Sequence, residues 1–347
     1  MRTGAGGKAL GWFLELRPIP VLLWSYTAVA LGTGLAVAEG TALDTGWLAV
    51  ALALAVLIQG WETHAINEIY DWRSGTDAHG SPRALSGGSK VIRLGVLSER
   101  DLWAVFIVSS LGVAVLGAFV GLARAWWLAG IVVAGYAIGL AYTMPPVATS
   151  YRPFAGEWLG GFPGVLLAGI GAYAIQSLRV TPTAIAALAA HALVCTAMLT
   201  MHHYLDAPAD RSASPVKRTT VVVLGPRGGK AYATCLAAGG AAIYGALAIV
   251  VHPAFGFGAA FTIPAVVFHA IVRMDDLESV TRNELRIIQL GIAAGLSTAV
   301  GLAPALWPLV PLAVAGYFAH LWAVAPPAAL ARAWRRAPDP SRHGPGL

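Results

Sequence analysis

The sequence Gly60–Asp77, GWETHAINEIYDWRSGTD, ends a long apolar run and is far too polar to lie in lipid. Asn67 and Asp71 within it are four residues apart, so a helix presents them on the same face. Gly75 breaks the helix, and Asp77 follows in a loop. The stretch therefore predicts a membrane helix whose polar end carries an amide and two carboxylates.

A second polar cluster ends another apolar run, where His202–Asp206 (HHYLD) is followed by Asp210. Carboxylates at the ends of membrane helices are costly unless cations join them. Mg²⁺ prefers oxygen ligands and takes a few carboxylates, while substrate phosphate oxygens complete its coordination. We expect a joint site for Mg²⁺ and a diphosphate, and the expected metal ligands are Asn67, Asp71, Asp77, Asp206 and Asp210.

The composition excludes an ordinary soluble protein. Of the 347 residues, 57% are hydrophobic and 12% are charged, and the mean hydropathy is +0.68. A soluble domain carries roughly twice that charged fraction. The net charge of +6 suits basic cytoplasmic loops better than a nucleic-acid partner, so no nucleic acid is expected. Cys195 and Cys235 lie in apolar runs and form neither a disulfide framework nor a metal site.

Apolar runs long enough to span a membrane follow one another along the chain. They predict an all-α polytopic membrane bundle of nine or ten transmembrane helices, in a single domain that comprises residues 1–347. No removable signal peptide is expected. The ten expected segments are approximately residues 19–38, 46–69, 101–122, 125–144, 158–177, 182–204, 230–251, 253–272, 286–304 and 308–326.

Lysine and arginine residues fall almost entirely on one side of this arrangement. With the N-terminus in the cytoplasm, 21 of the 23 lie on the cytoplasmic side, and Arg124 and Arg179 lie on the other. Such an excess marks the cytoplasmic side of a multi-pass protein. We therefore expect a plasma-membrane protein with the carboxylate clusters in the cytoplasm, and with both termini there if ten helices cross.

Basic residues accompany both acidic clusters in two long loops, residues 72–100 and 205–229. Loops of this length in a compact bundle are usually functional or disordered. Ammonium and guanidinium groups neutralise a diphosphate, and together with a metal they stabilise it as it departs. The allylic carbocation left behind can be stabilised by the faces of Trp or Tyr side chains. The residues expected to bind the diphosphate are Lys90, Lys217, Arg218 and Arg83.

Plainer interpretations of these residues stay open. A single Asp-x3-Asp pattern is weak evidence, because acids at helix ends are often only solvated; two such patterns on one membrane side, each followed by a basic loop, favour a metal site. A transporter is the competing class, although transporters usually keep their acids near the bilayer midplane. Other polar residues lie deeper in the predicted helices, and each is an interior polar group, part of a cavity wall or a proton-transfer group. They are Glu62, His64, His191 and His269.

These residues resemble the UbiA superfamily of intramembrane aromatic prenyltransferases, which carries an Asn-x3-Asp-x3-Asp type of motif after the second helix and an Asp-x3-Asp motif after the sixth. The variant spacing Asn67-x3-Asp71-x3-Gly75-x-Asp77 is most similar to the 1,4-dihydroxy-2-naphthoate polyprenyltransferase branch of menaquinone biosynthesis. The resemblance covers roughly residues 17–300. Further stretches that agree are Gly87–Lys90 (GGSK), Gly139–Thr143 (GLAYT), Gly156–Glu157 and Lys217–Thr220 (KRTT).

The resemblance implies that the five metal ligands named above hold two Mg²⁺ ions on an isoprenyl diphosphate. It implies diphosphate contacts from Lys90, Lys217 and Arg218, and it places Tyr142 near the reacting carbon. The residues expected to act in catalysis are Asp71, Asp206, Tyr142 and Glu157.

Two features depart from the family pattern. His202-His203 stands where this branch usually has Asn-Asn, and imidazole is a poorer Mg²⁺ ligand than a carbonyl oxygen, so either the second half of the site is remodelled or the acceptor differs. The family has nine membrane helices, whereas ten apolar segments are present here. The last segment is an extra transmembrane helix or a surface-lying one, and the charge distribution favours the former.

We therefore expect Mg²⁺-dependent transfer of an isoprenyl chain from an isoprenyl diphosphate to an aromatic acceptor, a dihydroxynaphthoate or a similar hydroxyarene, within the lipid bilayer. A general base takes the acceptor's proton, and the candidates are Glu157, His64 and His202. If no acceptor takes part, the protein is instead a membrane terpene cyclase of the same superfamily. Two further classes stay open, a transferase that uses phosphoribosyl diphosphate and a membrane transporter.

Overall fold

Helices make up almost all of the described chain. The computed structural model describes residues 5–77 and 88–324, and these ranges contain no β-strand. Nine of their helices are long and apolar enough to cross a membrane, and a further apolar helix is shorter. In chain order they are α1 (Gly7–Ala38), α2 (Thr45–Ser74), α3 (Glu99–Ala123), α4 (Trp126–Thr143), α5 (Gly156–Ser177), α6 (Pro182–His202), α7 (Thr220–Val250), the shorter α8 (Phe255–Ile271), α9 (Leu277–Leu302) and α10 (Pro304–Val324).

The expected all-α membrane bundle is confirmed, and each predicted apolar segment coincides with one helix. Three helices begin well before the expected residue: α9, at Leu277, and two helices that contain a bend. α1 begins at Gly7 and passes through a break at Arg17, where φ is 50°. α7 begins at Thr220, because the pair Gly225–Pro226 bends the helix instead of preceding it. In both cases the proline or glycine marks a bend inside an apolar segment and not its end.

Polar side chains cap α3 and α9, two of the helices that begin on the side of the acidic clusters. At the start of α3, Asp101 N donates to Ser98 Oγ and Ser98 N donates to Asp101 Oδ2, which together form a capping box. At the start of α9, Asp276 Oδ1 accepts hydrogen bonds from Glu278 N and Ser279 N. These caps satisfy backbone donors where the chain re-enters the bundle.

The bundle has central and peripheral helices. Most residues of α1 and α6 are buried, whereas few residues of α3, α4 and α10 are. The exposed surface is apolar, and α3 alone presents Leu111, Val115 and Leu122 outward. An apolar belt of helices whose backbone hydrogen bonds are satisfied internally fits a lipid bilayer.

Glycine residues let the central helices approach one another closely. A Cβ atom on Gly32 of α1 would lie 2.2 Å from the carbonyl oxygen of Gly169 in α5. A Cβ atom on Gly240 of α7 would lie 2.8 Å from the carbonyl oxygen of Ala190 in α6. Membrane helices associate through packing of this kind, since lipid supplies little hydrophobic driving force between them.

The last apolar segment is an integral helix of the bundle. α10 packs against α1, where Tyr26 Oη donates to Leu309 O at 2.7 Å and Ile19 N donates to His320 Nδ1 at 3.2 Å. These contacts and its length favour an extra transmembrane helix over a surface-lying one. The C-terminal arginines that supported this expectation lie outside the described residues.

We expect Gly32→Ala to destabilise the bundle by about 1–3 kcal/mol, because the new methyl group would overlap a backbone atom that cannot move aside. The matched control is Gly130→Ala in α4, where no atom lies within 4 Å of the added methyl group. Thermal unfolding of the two variants in detergent measures the difference. Equal melting temperatures would show that α1 and α5 do not pack this closely.

Candidate active site

The first polar cluster is held at the end of α2. Asn67 and Asp71 share a face of the helix, and Asn67 Nδ2 donates to Asp71 Oδ2 at 3.0 Å. Gly75 ends the helix with φ 86°, a left-handed conformation that glycine adopts readily. The turn is closed by Asp77 N, which donates to the carbonyl oxygen of Asp71 at 3.2 Å. Asp77 is thereby brought back to the two helical residues.

The second cluster follows α6 and is tied to the first by backbone hydrogen bonds. A turn leads into the short helix Ala207–Ser212, where Asp210 N donates to Asp206 O at 2.9 Å. The chain then runs along the end of α2, since Ser214 N donates to Ser74 O at 2.9 Å. Two clusters that are far apart in the sequence therefore meet at one end of the bundle.

Asp71 is the centre of the polar network that joins these clusters. Its Oδ2 accepts a hydrogen bond from Lys217 Nζ at 2.6 Å, and its Oδ1 accepts one from Tyr151 Oη at 2.7 Å. Lys217 N in turn donates to Asp210 O at 3.0 Å. Lys217 and Asp71 are both buried. Such a buried ion pair is costly to break from one side, since it leaves an uncompensated charge.

Burial and neighbouring charges act on the proton affinity of these groups. Burial alone would lower the pKa of Lys217, but the carboxylates of Asp71 and Asp210 outweigh it and raise that pKa well above its usual value. Burial raises the pKa of Asp77 well above its usual range, and the Asp71 carboxylate raises it further. Lys217 therefore stays protonated, and the Asp77 carboxylate needs a cation to hold its charge.

The carboxylates fit a divalent cation that a substrate helps to hold. Among the described residues, Asp77 Oδ2 and Asp210 Oδ1 are buried and accept no hydrogen bond, a cost that a cation removes. The described part of the chain contains no group of three His, Cys, Asp or Glu side chains close enough to form a complete metal cage. Mg²⁺ does not need one, because it is usually bound by one or two carboxylates together with water and substrate phosphate.

A long cavity opens from the acidic end into the bundle. Its volume is about 270 Å³, and all five predicted metal ligands line it. The wall continues along α2 from Asn67 to Ala51, about 24 Å at the rise of an α-helix, and reaches Leu128 and Ile175. It is mainly aliphatic, and the described wall contains two aromatic residues other than histidine, Trp24 and Tyr142. The chamber is thus less aromatic than expected.

Irregular helical turns shape the cavity wall. The segments Val56–Thr63 of α2 and Gly156–Gly161 of α5 are π-helical. Both contribute to the wall, for example through Gln59 and Gly160. A Cβ atom on Gly160 would lie 2.5 Å from the ring of Tyr142, so this glycine makes room for the tyrosine. π-Helical turns often occur at functional sites.

The other predicted site residues are distributed unevenly around the cavity. Lys217 and Tyr142 are part of its wall. Glu157 is buried but does not line the cavity. The side chain of Arg218 is exposed, and its backbone N donates to Tyr151 O at 3.2 Å. Lys90 is half-buried, has a φ of 62° and lies off the described wall. Arg83 lies outside the described residues.

Three residues of the site escaped the sequence analysis. Arg17 lines the cavity at the break in α1, and its only signal is that it precedes a proline at the start of an apolar run. Tyr151 reaches Asp71 from the loop after α4. Glu284 is buried in α9, 2.7 Å from His202 Nδ1. The last two depend on contacts between distant segments, for which the sequence contains no local signal.

Comparison with known proteins adds to this geometry. Residues 26–290 match the UbiA prenyltransferase family. The chain belongs to this family. It is therefore a prenyltransferase, and its apolar helices make it a multi-pass membrane protein. The matched region ends within α9, so α10 lies beyond it.

The comparisons also identify relatives. The chain is 28% identical over 245 residues to the 1,4-dihydroxy-2-naphthoate octaprenyltransferase of Bacillus subtilis (strain 168), which covers 70% of this chain and 75% of the relative. A UbiA homolog from Archaeoglobus fulgidus bound to GPP and Mg²⁺ is 17% identical, with a TM-score of 0.60 over 83% of this chain and 99% of that chain. The apo UbiA homolog from Aeropyrum pernix K1 is 18% identical, with a TM-score of 0.60 over 81% and 98%. The two structures support the fold.

We expect Lys217→Met to lower kcat/KM for the isoprenyl diphosphate by about 100-fold or more, because it removes a buried cation from the acidic end of the cavity. Arg218→Met removes an exposed cation, whose predicted contact with the diphosphate is weakened by solvent, and should lower it by about fivefold or less. Lys217→Arg keeps the charge and should retain more activity than Lys217→Met. Equal losses at the two positions would contradict the different placement of these neighbouring residues.

Proposed function

We propose that the protein transfers an isoprenyl chain from an isoprenyl diphosphate to an aromatic acceptor, in a reaction that depends on Mg²⁺. The observation that carries this proposal is the cavity, which has the five proposed metal ligands at one end and a long, mainly aliphatic wall behind them. The charged end suits a metal-bound diphosphate, and the aliphatic part suits a hydrocarbon chain.

The relatives support the choice of donor and metal. The homologs from Archaeoglobus fulgidus are described as bound to GPP and Mg²⁺ and to DMAPP and Mg²⁺. In this chain, the buried carboxylate oxygens of Asp77 and Asp210 supply the negative charge that Mg²⁺ needs. The proposed metal ligands are Asn67, Asp71, Asp77, Asp206 and Asp210. Bound Mg²⁺ would neutralise the diphosphate and stabilise it as a leaving group.

The basic residues complete the proposed donor site. Lys217 lies at the acidic end and, with Arg17 on the cavity wall, offers positive charge to the diphosphate. Lys90, Arg83 and Arg218 remain predicted contacts from the adjoining loops. Among the predicted catalytic residues, Tyr142 lies in the cavity wall, where its ring can stabilise positive charge at the departing carbon. Glu157 belongs to the helix that packs against Tyr142 and remains a prediction.

The proposed acceptor is a 1,4-dihydroxy-2-naphthoate or a similar hydroxyarene. The similarity to the octaprenyltransferase of Bacillus subtilis supports a dihydroxynaphthoate, and the same similarity supports a place in menaquinone biosynthesis. The whole chain, residues 1–347, is proposed to form one domain around this reaction.

The first test is mass spectrometry of lipid extracts after incubation of the purified protein with Mg²⁺, isoprenyl diphosphates of several lengths and a panel of hydroxyarenes. We expect a prenylated product that requires both acceptor and Mg²⁺. Asp71→Asn and Asp206→Asn should lower its yield about 100-fold or more, because each removes a charged metal ligand.

Asp275→Asn is the matched control, since Asp275 is an exposed acid in the loop before α9 and does not line the cavity. It should keep full activity. A hydrocarbon or terpene alcohol formed without any acceptor would replace the proposal with a cyclase. Full activity of both site variants would refute the metal assignment.

We further propose that the acidic end of the cavity faces the cytoplasm of a plasma-membrane protein, as the distribution of basic residues indicates. In a variant without Cys195 and Cys235, single cysteines at Arg93 and Ala42 would lie in exposed loops at opposite ends of α2. In intact cells a membrane-impermeant maleimide should label Ala42→Cys and spare Arg93→Cys. Labelling of Arg93→Cys alone would indicate the opposite orientation in the membrane.

A further inference from the structure

His202 and Glu284 form a partly buried pair beside the proposed metal site. His202 is the last residue of α6, and Glu284 lies in the second turn of α9. The Nδ1 atom of His202 is 2.7 Å from Glu284 Oε1. We propose that this pair removes the hydroxyl proton of the aromatic acceptor, with His202 as the catalytic base and Glu284 as its positioning residue. The inference rests on the proposed transferase function and assigns a step within it.

The two side chains stand in different surroundings. The His202 side chain lines the cavity and retains 20% of its exposed surface, whereas that of Glu284 retains 1% and does not line the cavity. Glu284 therefore cannot contact a substrate directly, but it can act through the imidazole ring. A buried carboxylate in a membrane helix is costly, and such residues usually serve a function with a definite partner.

The geometry gives each ring nitrogen a separate role. We assign the ring proton to Nδ1, so that Glu284 Oε1 accepts its hydrogen bond and this contact fixes the tautomer and the orientation of the ring. Proton exchange with a substrate in the cavity then uses Nε2, on the other side of the ring. When Nε2 gains a proton, the adjacent carboxylate stabilises the imidazolium. The same arrangement of base and orienting carboxylate serves proton transfer on unrelated folds.

The other candidate bases lack this combination. Glu157 does not line the cavity. His203 lines it, but its Nδ1 lies 3.6 Å from Asp210 Oδ2, so it stands beside the proposed metal ligands. His64 also lines it, and Nδ1 of its ring accepts no hydrogen bond among the described residues. His202 thus combines a place on the wall with a buried carboxylate behind it.

The proposed step balances in atoms and charge. The hydroxyl proton of the acceptor passes to His202 Nε2, and the electron pair that it leaves raises the electron density of the ring. A ring carbon then forms the bond to C1 of the isoprenyl group, while the C1–O bond breaks and its electron pair departs on the diphosphate. The resulting dienone becomes aromatic again when the alkylated carbon releases its remaining proton to water and the ring oxygen takes back the proton held on His202 Nε2, which restores the base.

The test distinguishes removal of the acceptor's proton from ionisation of the isoprenyl diphosphate. His202→Asn keeps a polar side chain but cannot accept a proton, and Glu284→Gln keeps the shape but loses the charge. Prenylation of a weakly acidic hydroxyarene should fall about 100-fold or more in His202→Asn and about tenfold in Glu284→Gln. The KM for the donor and its slow hydrolysis to diphosphate without acceptor should stay within about threefold. Retained hydrolysis also shows that both variants fold.

A hydroxyarene that is already ionised at the assay pH gives the decisive comparison. Its proton is absent, so the ratio of wild-type to variant rates should collapse toward one for both substitutions. A structural defect would reduce the rates with both acceptors equally. The controls are His252→Asn, at the opposite end of the bundle, and Glu278→Gln, an exposed acid on the same helix as Glu284; both should leave every rate unchanged.

The outcomes distinguish this inference from the proposed function. Absence of any prenylated product from the wild-type protein would refute the transferase itself. Normal prenylation by His202→Asn, or an equal loss with ionised and un-ionised acceptors, would refute the pair and leave the transferase standing. Loss of donor hydrolysis together with prenylation would place His202 in donor binding and would also refute its role as a base.

Discussion

The ion pair between Lys217 and Asp71, 2.6 Å apart and almost inaccessible to water, is the contact on which the arrangement of the site depends. It joins the loop after α6 to the end of α2, and the backbone hydrogen bond from Ser214 to Ser74 follows the same path. Breaking such a pair from one side costs about 3–5 kcal/mol, since a charge is left without compensation. The protein therefore assembles its acidic groups around a cation of its own.

This constraint explains why the cavity has an acidic end and a mainly aliphatic remainder. Charges can gather only where the protein or a bound cation neutralises them, so the acidic residues of the wall lie at or just after the ends of α2 and α6. The remainder of the wall contains no acidic residue and is built mainly from aliphatic side chains and glycine, with a few uncharged polar groups such as Gln59. An amphiphilic donor fits this division in one orientation, because its diphosphate and its hydrocarbon chain require opposite environments.

The sequence predicts most of this arrangement where the signal is local. Hydropathy and spacing identify the helices and place Asn67 and Asp71 on one face, because both depend on neighbouring residues. The contact between Tyr151 and Asp71 spans 80 positions and leaves no such trace. Lys217 and Arg218 are adjacent and have the same charge, yet one is buried and the other exposed. Only the path of the loop decides which of them enters the cavity.

The different roles proposed for the acidic residues follow from the same electrostatics. A carboxylate that holds a divalent cation is a weak base, since the metal stabilises its charged form. An active site whose accessible carboxylates all serve the metal therefore needs a proton acceptor from another part of the structure. α9 places Glu284 on the side of His202 away from the cavity, where the carboxylate can support the imidazole without competing for the metal. The fold thus places the proposed base at the acidic end of the cavity and its carboxylate partner off the cavity wall.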